Sequence, residues 1–308
     1  MSATGNIIVP RRKGLRPRQK ESIAFYLFIL PWLLGFVIFT FGPMVASGYL
    51  SLTQFSIMSP PVWIGTANYT KMFQTALFWK SMGNTLFMVA LDLPLGLIAS
   101  LSAAVLLNQK LRGVNIFRSI FYLPVLIPTI ANILLWVWIF DKDAGILNVL
   151  LKLVGLPGQP WLTDQLWSKP SLIFMNLWGL GGAMLIYLAG LKGVPVEMHE
   201  AAKIDGASSW QAFWKITMPL LSPTILFQLV IGVIYEFQIF TQGYILGGGP
   251  NFSTTFYVLE LFNNAFRYLK MGYASAMAWG LFAVTLIITM LVFRSTPYWV
   301  YYEAERQR

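Results

Sequence analysis

Residues 192–219 read Lys192-Gly-Val-Pro-Val-Glu-Met-His-Glu-Ala-Ala-Lys-Ile-Asp-Gly-Ala-Ser-Ser-Trp-Gln-Ala-Phe-Trp-Lys-Ile-Thr-Met-Pro219, a connection far longer than a hairpin between two helices requires. Pro195 suits a first helical position, and Glu197 to Ile204 are competent helix residues, with Val194, Met198, Ala201 and Ala202 at helical spacing. Gly206 supplies the backbone freedom of a helix stop. Ser208 followed by Gln211 has the spacing of a capping box, opening a second short helix with an aromatic face of Trp210, Phe213 and Trp214. Pro219 and Pro223 then fit the first turns of a longer helix.

Outward from this segment the chain is dominated by apolar runs. Of 308 residues, 56% are hydrophobic and only 11% charged, with a mean hydropathy of +0.63. A soluble domain carries about 25% charged residues, which excludes a cytosolic globular enzyme. A bilayer core of about 30 Å needs about 20 apolar helical residues, and six intervals qualify. The first is Ile23 to Phe41, running on past Pro43 toward Leu52; the second is 83–108, interrupted only by Asp92. Arg118 and Asp141 bracket the third, and Lys169 and Lys192 the fourth. The fifth runs from near Met218 to about Gly243 and carries Glu236; the sixth lies between Lys270 and Arg294. The fold expected is an all-α membrane protein of six transmembrane helices, residues 22–295, with a helix-pair connection at 192–218, a basic tail at 1–21 and a short tail at 296–308.

Orientation follows from Lys and Arg in the connections. With the N-terminus inside, 15 of the 22 basic residues fall on the cytoplasmic side and seven outside, so both termini are expected in the cytoplasm. The apolar stretch after the basic tail is too long for a signal peptide and no small-residue site closes it early, which predicts an uncleaved first span, with the basic tail a cytoplasmic anchor near anionic lipid. Three outside loops, 53–82, 141–170 and 244–270, are rich in Gly, Pro, Asn, Trp and Tyr and long enough to touch a partner. The net charge of +10 is spread over short connections rather than one face, against nucleic-acid binding. Zero Cys and the single His199 exclude a disulfide framework and a multi-histidine metal site.

Glu200-Ala201-Ala202, then Gly206, Ile216 and Met218-Pro219, resembles the E-A-A motif of permease subunits of binding-protein-dependent ABC importers. Asp205-Gly206-Ala207 and Phe213 resemble the form of the carbohydrate-uptake branch, the maltose-type and glycerol-phosphate-type permeases. So do Leu30-Pro31, Gly247-Gly248-Gly249-Pro250 and Met271-Gly272-Tyr273-Ala274-Ser275-Ala276. Met218 stands where the family usually has Leu, a nearly isosteric departure. The resemblance implies that Glu200, Ala201, Ala202, Asp205, Gly206, Phe213, Ile216 and Pro219 belong to a coupling helix pair docking into an ATPase subunit, with Glu200 an acidic contact. It also implies a second homologous permease subunit, two ATPase subunits that hold ATP and Mg, and an extracytoplasmic solute-binding protein, in a prokaryotic cytoplasmic membrane. The chain itself has no G-x-x-x-x-G-K-[ST] phosphate loop, since no Lys follows a Gly.

Polar groups at membrane depth usually face a cavity or a neighbouring helix. Span three carries Tyr122, Thr129, Asn132 and Trp136 on one expected stripe; span four offers Asn176 and Trp178 before Gly179, Gly181 and Gly182; span five carries Tyr235, Gln238 and Gln242 with Glu236 adjacent. Amides and aromatic rings suit a sugar, offering partners for hydroxyls and flat surfaces for C–H faces, although the same residues also join helices in bundles. Asp92, beside Pro94, reads as a structural hydrogen bond. Glu236 is open between a protonated group, a partner to a cation and a substrate ligand. The resemblance implies ATP-driven import of a carbohydrate or related polyol by alternating access, with these residues along its path. Alternatives are import of a glycerol 3-phosphate-like solute and an ion-coupled secondary transporter relying on Asp92 and Glu236. A membrane-bound lipid or glycan enzyme lacks the cluster of acids or His it would need.

Overall fold

The structure is a computed structural model that describes residues 17–109 and 112–301. The expected positions of residues 1–16, Lys110 and 302–308 in the cytoplasm therefore concern residues outside the described part. In chain order the elements are α1 (Pro17–Phe36), α2 (Gly42–Ser51), β1 (Thr53–Ser56), β2 (Ser59–Trp63), α3 (Ala67–Gln74), α4 (Ala76–Leu107), α5 (Val114–Tyr122), α6 (Thr129–Ile139), α7 (Ile146–Leu153), α8 (Ser168–Trp178), α9 (Gly181–Lys192), α10 (Val196–Ile204), α11 (Ser209–Ala212), α12 (Met218–Phe237), α13 (Thr241–Ile245), α14 (Tyr257–Phe262) and α15 (Met271–Trp299). Four helices are long and apolar enough to cross a membrane: Glu21–Ser51, Ala76–Leu107, Ser209–Ile245 and Met271–Trp299. Two bent pairs, α5 with α6 and α8 with α9, are long and apolar enough when taken together, which makes six if each pair is one span.

The third span departs from the straight helix expected, because α5 and α6 meet at 99°. Pro124 and Pro128 explain the break: each lacks an N–H and crowds the preceding turn, so a short 3-10 turn at Leu123–Leu126 gives way to extended backbone at Ile127. Span four bends by 49° between Trp178 and Gly181. The two breaks touch. A Cβ on Gly181 would stand 2.2 Å from the Phe121 carbonyl oxygen, so only glycine lets α9 lie against the end of α5.

Span five also differs from expectation. The second short helix and the span are continuous from Ser209, joined through a π turn at Phe213–Thr217 just ahead of Pro219, so the helix starts at Ser209 rather than near Met218. The sixth helix runs past Arg294 to Trp299, into the expected tail. Outside the helices, Thr53–Trp63 forms an antiparallel hairpin with Thr53 opposite Trp63. Asn68 fastens its base by donating to the Ser51 and Thr53 carbonyls at 2.9 and 2.8 Å. Pro60 and Pro61 are tolerated because β2 belongs to a two-stranded sheet and has a free edge.

The loop after α6 is organised by Asn148, which is fully buried. Its amide donates to the Lys142 and Gln159 carbonyls at 2.9 Å each, and its oxygen accepts from the Gln159 N–H and the Trp161 indole, also at 2.9 Å. Asp141 opens the loop. The backbone N–H groups of Ala144 and Asp143 hold its carboxyl below the usual carboxylate range. By contrast, none of the apolar window of the first span is buried within the chain, a surface that lipid or another subunit must cover.

Replacing Gly181 by Val is expected to force the two bends apart. Overpacking of this kind costs about 1–3 kcal/mol, which a lowered melting temperature of the purified protein in detergent would register; an unchanged melting curve would show that the bends do not brace one another.

Candidate functional site: a cavity at membrane depth and an exposed helix pair

Unpaired backbone is tolerated at membrane depth only where it is buried in protein or lines a cavity. Here the chain leaves regular helix at three such places, Leu123–Pro128, Gly179–Leu180 and Gln238–Phe240, and all three border one cavity of about 700 Å³. Asp92 and Gly96 of α4, Asn132 of α6, Asn176 of α8, Gly182 of α9 and Glu236 of α12 complete its walls.

Of the seven residues read as a substrate pathway, six line this cavity: Asn132, Asn176, Tyr235, Glu236, Gln238 and Gln242. Trp136 does not. It is buried in the hydrophobic core, with ring centroids 5.1 Å from Phe140 and 5.6 Å from both Phe174 and Trp178. The reason is that α8 presents Phe174 and Trp178 to this turn of α6, which makes an aromatic cluster of what looked like a polar stripe. Tyr122, on the same expected stripe, lies beyond the 99° break. Two polar cavity residues were not anticipated. Gln228 donates to the Ala183 carbonyl at 3.2 Å, tying α12 to α9, and Thr241 opens α13. Gln228 had a readable signal, an amide alone in the first half of an apolar span.

At the centre lie three side chains from three helices. The Asn176 amide donates to the Asp92 carboxyl, and Glu236 lines the same cavity. The close approach of α4 and α12 here depends on Gly232, where a Cβ would meet Leu93 Cδ1 at 2.3 Å. Among the described residues lining the cavity there is no Lys, Arg or His.

The second region is the connection between spans four and five. None of α10 is buried. It ends in a full Schellman motif: Ala207 N–H donates to the Ala202 carbonyl at 2.9 Å and Gly206 N–H to the Lys203 carbonyl at 3.2 Å. Gly206 sits at φ +75°, in the left-handed region that disfavours side chains. The expected capping box is present, with Ser208 N–H donating to Gln211 Oε1 at 2.8 Å and Gln211 N–H to Ser208 Oγ at 3.3 Å. Glu200, Ala201, Asp205 and Gly206 are exposed, while Ala202, Phe213, Ile216 and Pro219 are half-buried. Ile204 and Trp210 are 87% and 69% exposed, large apolar groups on a surface helix pair that await a partner.

A family model described as binding-protein-dependent transport system inner membrane component matches residues 93–302. The chain belongs to this family. It is 41% identical over 99% of its length to all of a probable ABC transporter permease, YesP, of Bacillus subtilis (strain 168). It is 33% identical over 92% of its length to 86% of the diacetylchitobiose uptake system permease NgcF of Streptomyces coelicolor. Its fold is that of a chain in the crystal structure of a bacterial alginate ABC transporter in complex with an alginate pentasaccharide-bound periplasmic protein, with a TM-score of 0.82, 24% identity, and coverage of 91% of this chain and 96% of that one. The chain is thus a multi-pass inner-membrane permease component.

In this permease, Gly206→Val places a branched side chain in left-handed backbone at about 1–2 kcal/mol. Faster amide exchange over α10 and α11, with α4 and α15 unchanged, is the expected result; equal exchange would mean the turn is not set by glycine.

Proposed function

We propose that this permease moves a carbohydrate or related polyol through the Asp92–Asn176–Glu236 cavity by alternating access. It does so beside a second, homologous permease, driven by two ATPase subunits that bind ATP and Mg, and fed by an extracytoplasmic solute-binding protein. The observation that carries the proposal is mechanical. One helical path runs from Ser209, at the exposed helix pair, to Phe237, next to Glu236 in the cavity, about 40 Å at 1.5 Å per residue. A displacement of α10 and α11 by an ATPase is therefore delivered to the cavity wall by a rigid element.

The lining supports the solute class. Asn132, Asn176, Gln238 and Gln242 supply donors and acceptors for hydroxyls, and Tyr235 an aromatic face. The absence of cationic side chains among the described lining residues favours a carbohydrate or polyol over a glycerol 3-phosphate-like solute, whose phosphate calls for Arg or Lys. The named activities of relatives such as the diacetylchitobiose permease run in the same direction. Glu200, exposed on α10, is the acidic contact to the ATPase, and Ile204 and Trp210 are the apolar ones.

The test is ATP hydrolysis by the reconstituted complex, with and without loaded binding protein. Glu200→Ala is expected to lower the stimulated rate about tenfold, the factor that ~1.4 kcal/mol of lost contact represents, while the subunits still co-purify. Undiminished stimulation would remove Glu200 from the coupling contact.

A further inference from the structure

A second cavity, of about 1140 Å³, lies between the last turns of α4, the end of α9 and the helix pair α10–α11. It shares no lining residue with the cavity around Asp92 and Glu236. Two kinds of wall enclose it. From α4 come Ile98, Leu101, Val105 and Leu106, an apolar strip; from the helix pair and the π turn come His199, Lys203, Trp214 and Thr217. Ile98 and Leu106 are 63% and 62% exposed on a helix long and apolar enough to cross a membrane. The cavity is therefore apolar toward the span and polar toward the helix pair, the gradient that a bilayer has where its hydrocarbon meets its headgroups. Trp214, exposed at this level, is of the type enriched at that boundary.

The charge in the lining has one sign. Lys203 lies there with His199, and no Asp or Glu lines the cavity among the described residues. α10 sorts its charges by face: His199 and Lys203, four residues apart, share the side turned to the cavity, while Glu197, Glu200 and Asp205 are outside its lining. His199 is fixed on that side, with Nε2 3.4 Å from Oγ1 of the buried Thr217. Asn108 and Ser209 add polar groups near the cation. A lysine beside amide and hydroxyl groups suits a phosphate, and a basic pocket at the end of membrane spans suits a phosphate carried on a lipid.

We infer that this cavity binds one anionic phospholipid, its phosphate against Lys203 and His199 and its acyl chains along Ile98, Leu101 and Leu106. Charge complementarity selects the sign of the headgroup, and the apolar strip selects a lipid over free phosphate. A lipid seated there touches both α4 and the helix pair, and so braces an element of which no α10 residue is buried within the chain. The inference is independent of the solute that the permease carries.

The test is lipid retention by the permease purified with its partner subunits in detergent, read by native mass spectrometry after titration with phosphatidylglycerol or phosphatidylcholine. The native complex is expected to retain phosphatidylglycerol in preference. Lys203→Gln is expected to weaken that retention about fivefold, the factor that ~1 kcal/mol per basic residue near a membrane surface represents. Ser102→Trp, which sets a bulky ring into the cavity from an exposed position on α4, is expected to abolish it. Lys215→Gln removes an exposed cation of the same connection that does not line the cavity, and is expected to leave retention unchanged. Equal retention of the two lipids, or a loss in Lys215→Gln as large as in Lys203→Gln, would overturn the proposal. So would full retention in Ser102→Trp, which, if a partner subunit were lost at the same time, would mark the cavity as a subunit contact instead.

Discussion

Hydrocarbon offers no hydrogen bonds, so every interruption of a helix within a membrane must find protein or a cavity to satisfy its exposed backbone. That constraint organises this permease. Three interruptions among the described residues border the cavity, and each would be untenable facing lipid. Gathered around one cavity they serve one another: the extended backbone at Ile127 and the bend at Gly179 are brought together by the Gly181 contact with Phe121, and the end of α12 at Phe237 closes the ring. The result is a polar hollow in an apolar protein, and it is where side chains such as Asp92 and Glu236 become affordable.

The mechanical half of the molecule rests on a different principle. The helix pair at 196–212 has little core of its own, and its shape is held by backbone termini satisfied locally, through the Schellman turn at Gly206 and the box at Ser208 and Gln211. Those bonds are internal to it, so its shape does not depend on the packing of the spans. The π turn at Phe213–Thr217 accommodates Pro219 without breaking the path to the cavity, so a surface element and a membrane-depth wall share one helix. π turns within helices often mark functional positions, and this one lies where the helix pair joins the span.

Legibility in the sequence followed the range of the interaction. The turn at Gly206 and the capping box were readable because their partners lie within five residues, and the spans because hydropathy needs no tertiary contact. Pro124 and Pro128 were visible, but how far they turn the chain depends on what packs into the bend. Trp136 shared helical spacing with Asn132 and still belongs to the core, since Phe174 and Trp178 arrive from another helix. The hairpin at Thr53–Trp63 was hidden by its prolines and exists because Asn68 and the start of α15 hold its base.

By itself, then, the sequence determined that the chain lives in a membrane, where its apolar runs lie, that an exposed helix pair joins the fourth and fifth of them, and which family it belongs to; these depend on composition, period and local spacing. Only the tertiary structure decided which polar residues share a cavity, that spans three and four are broken rather than straight, and that Asp92 meets Asn176. Those outcomes depend on helix packing between distant segments, where the presence or absence of a single Cβ, as at Gly181 and Gly232, sets which side chains come within reach of one another.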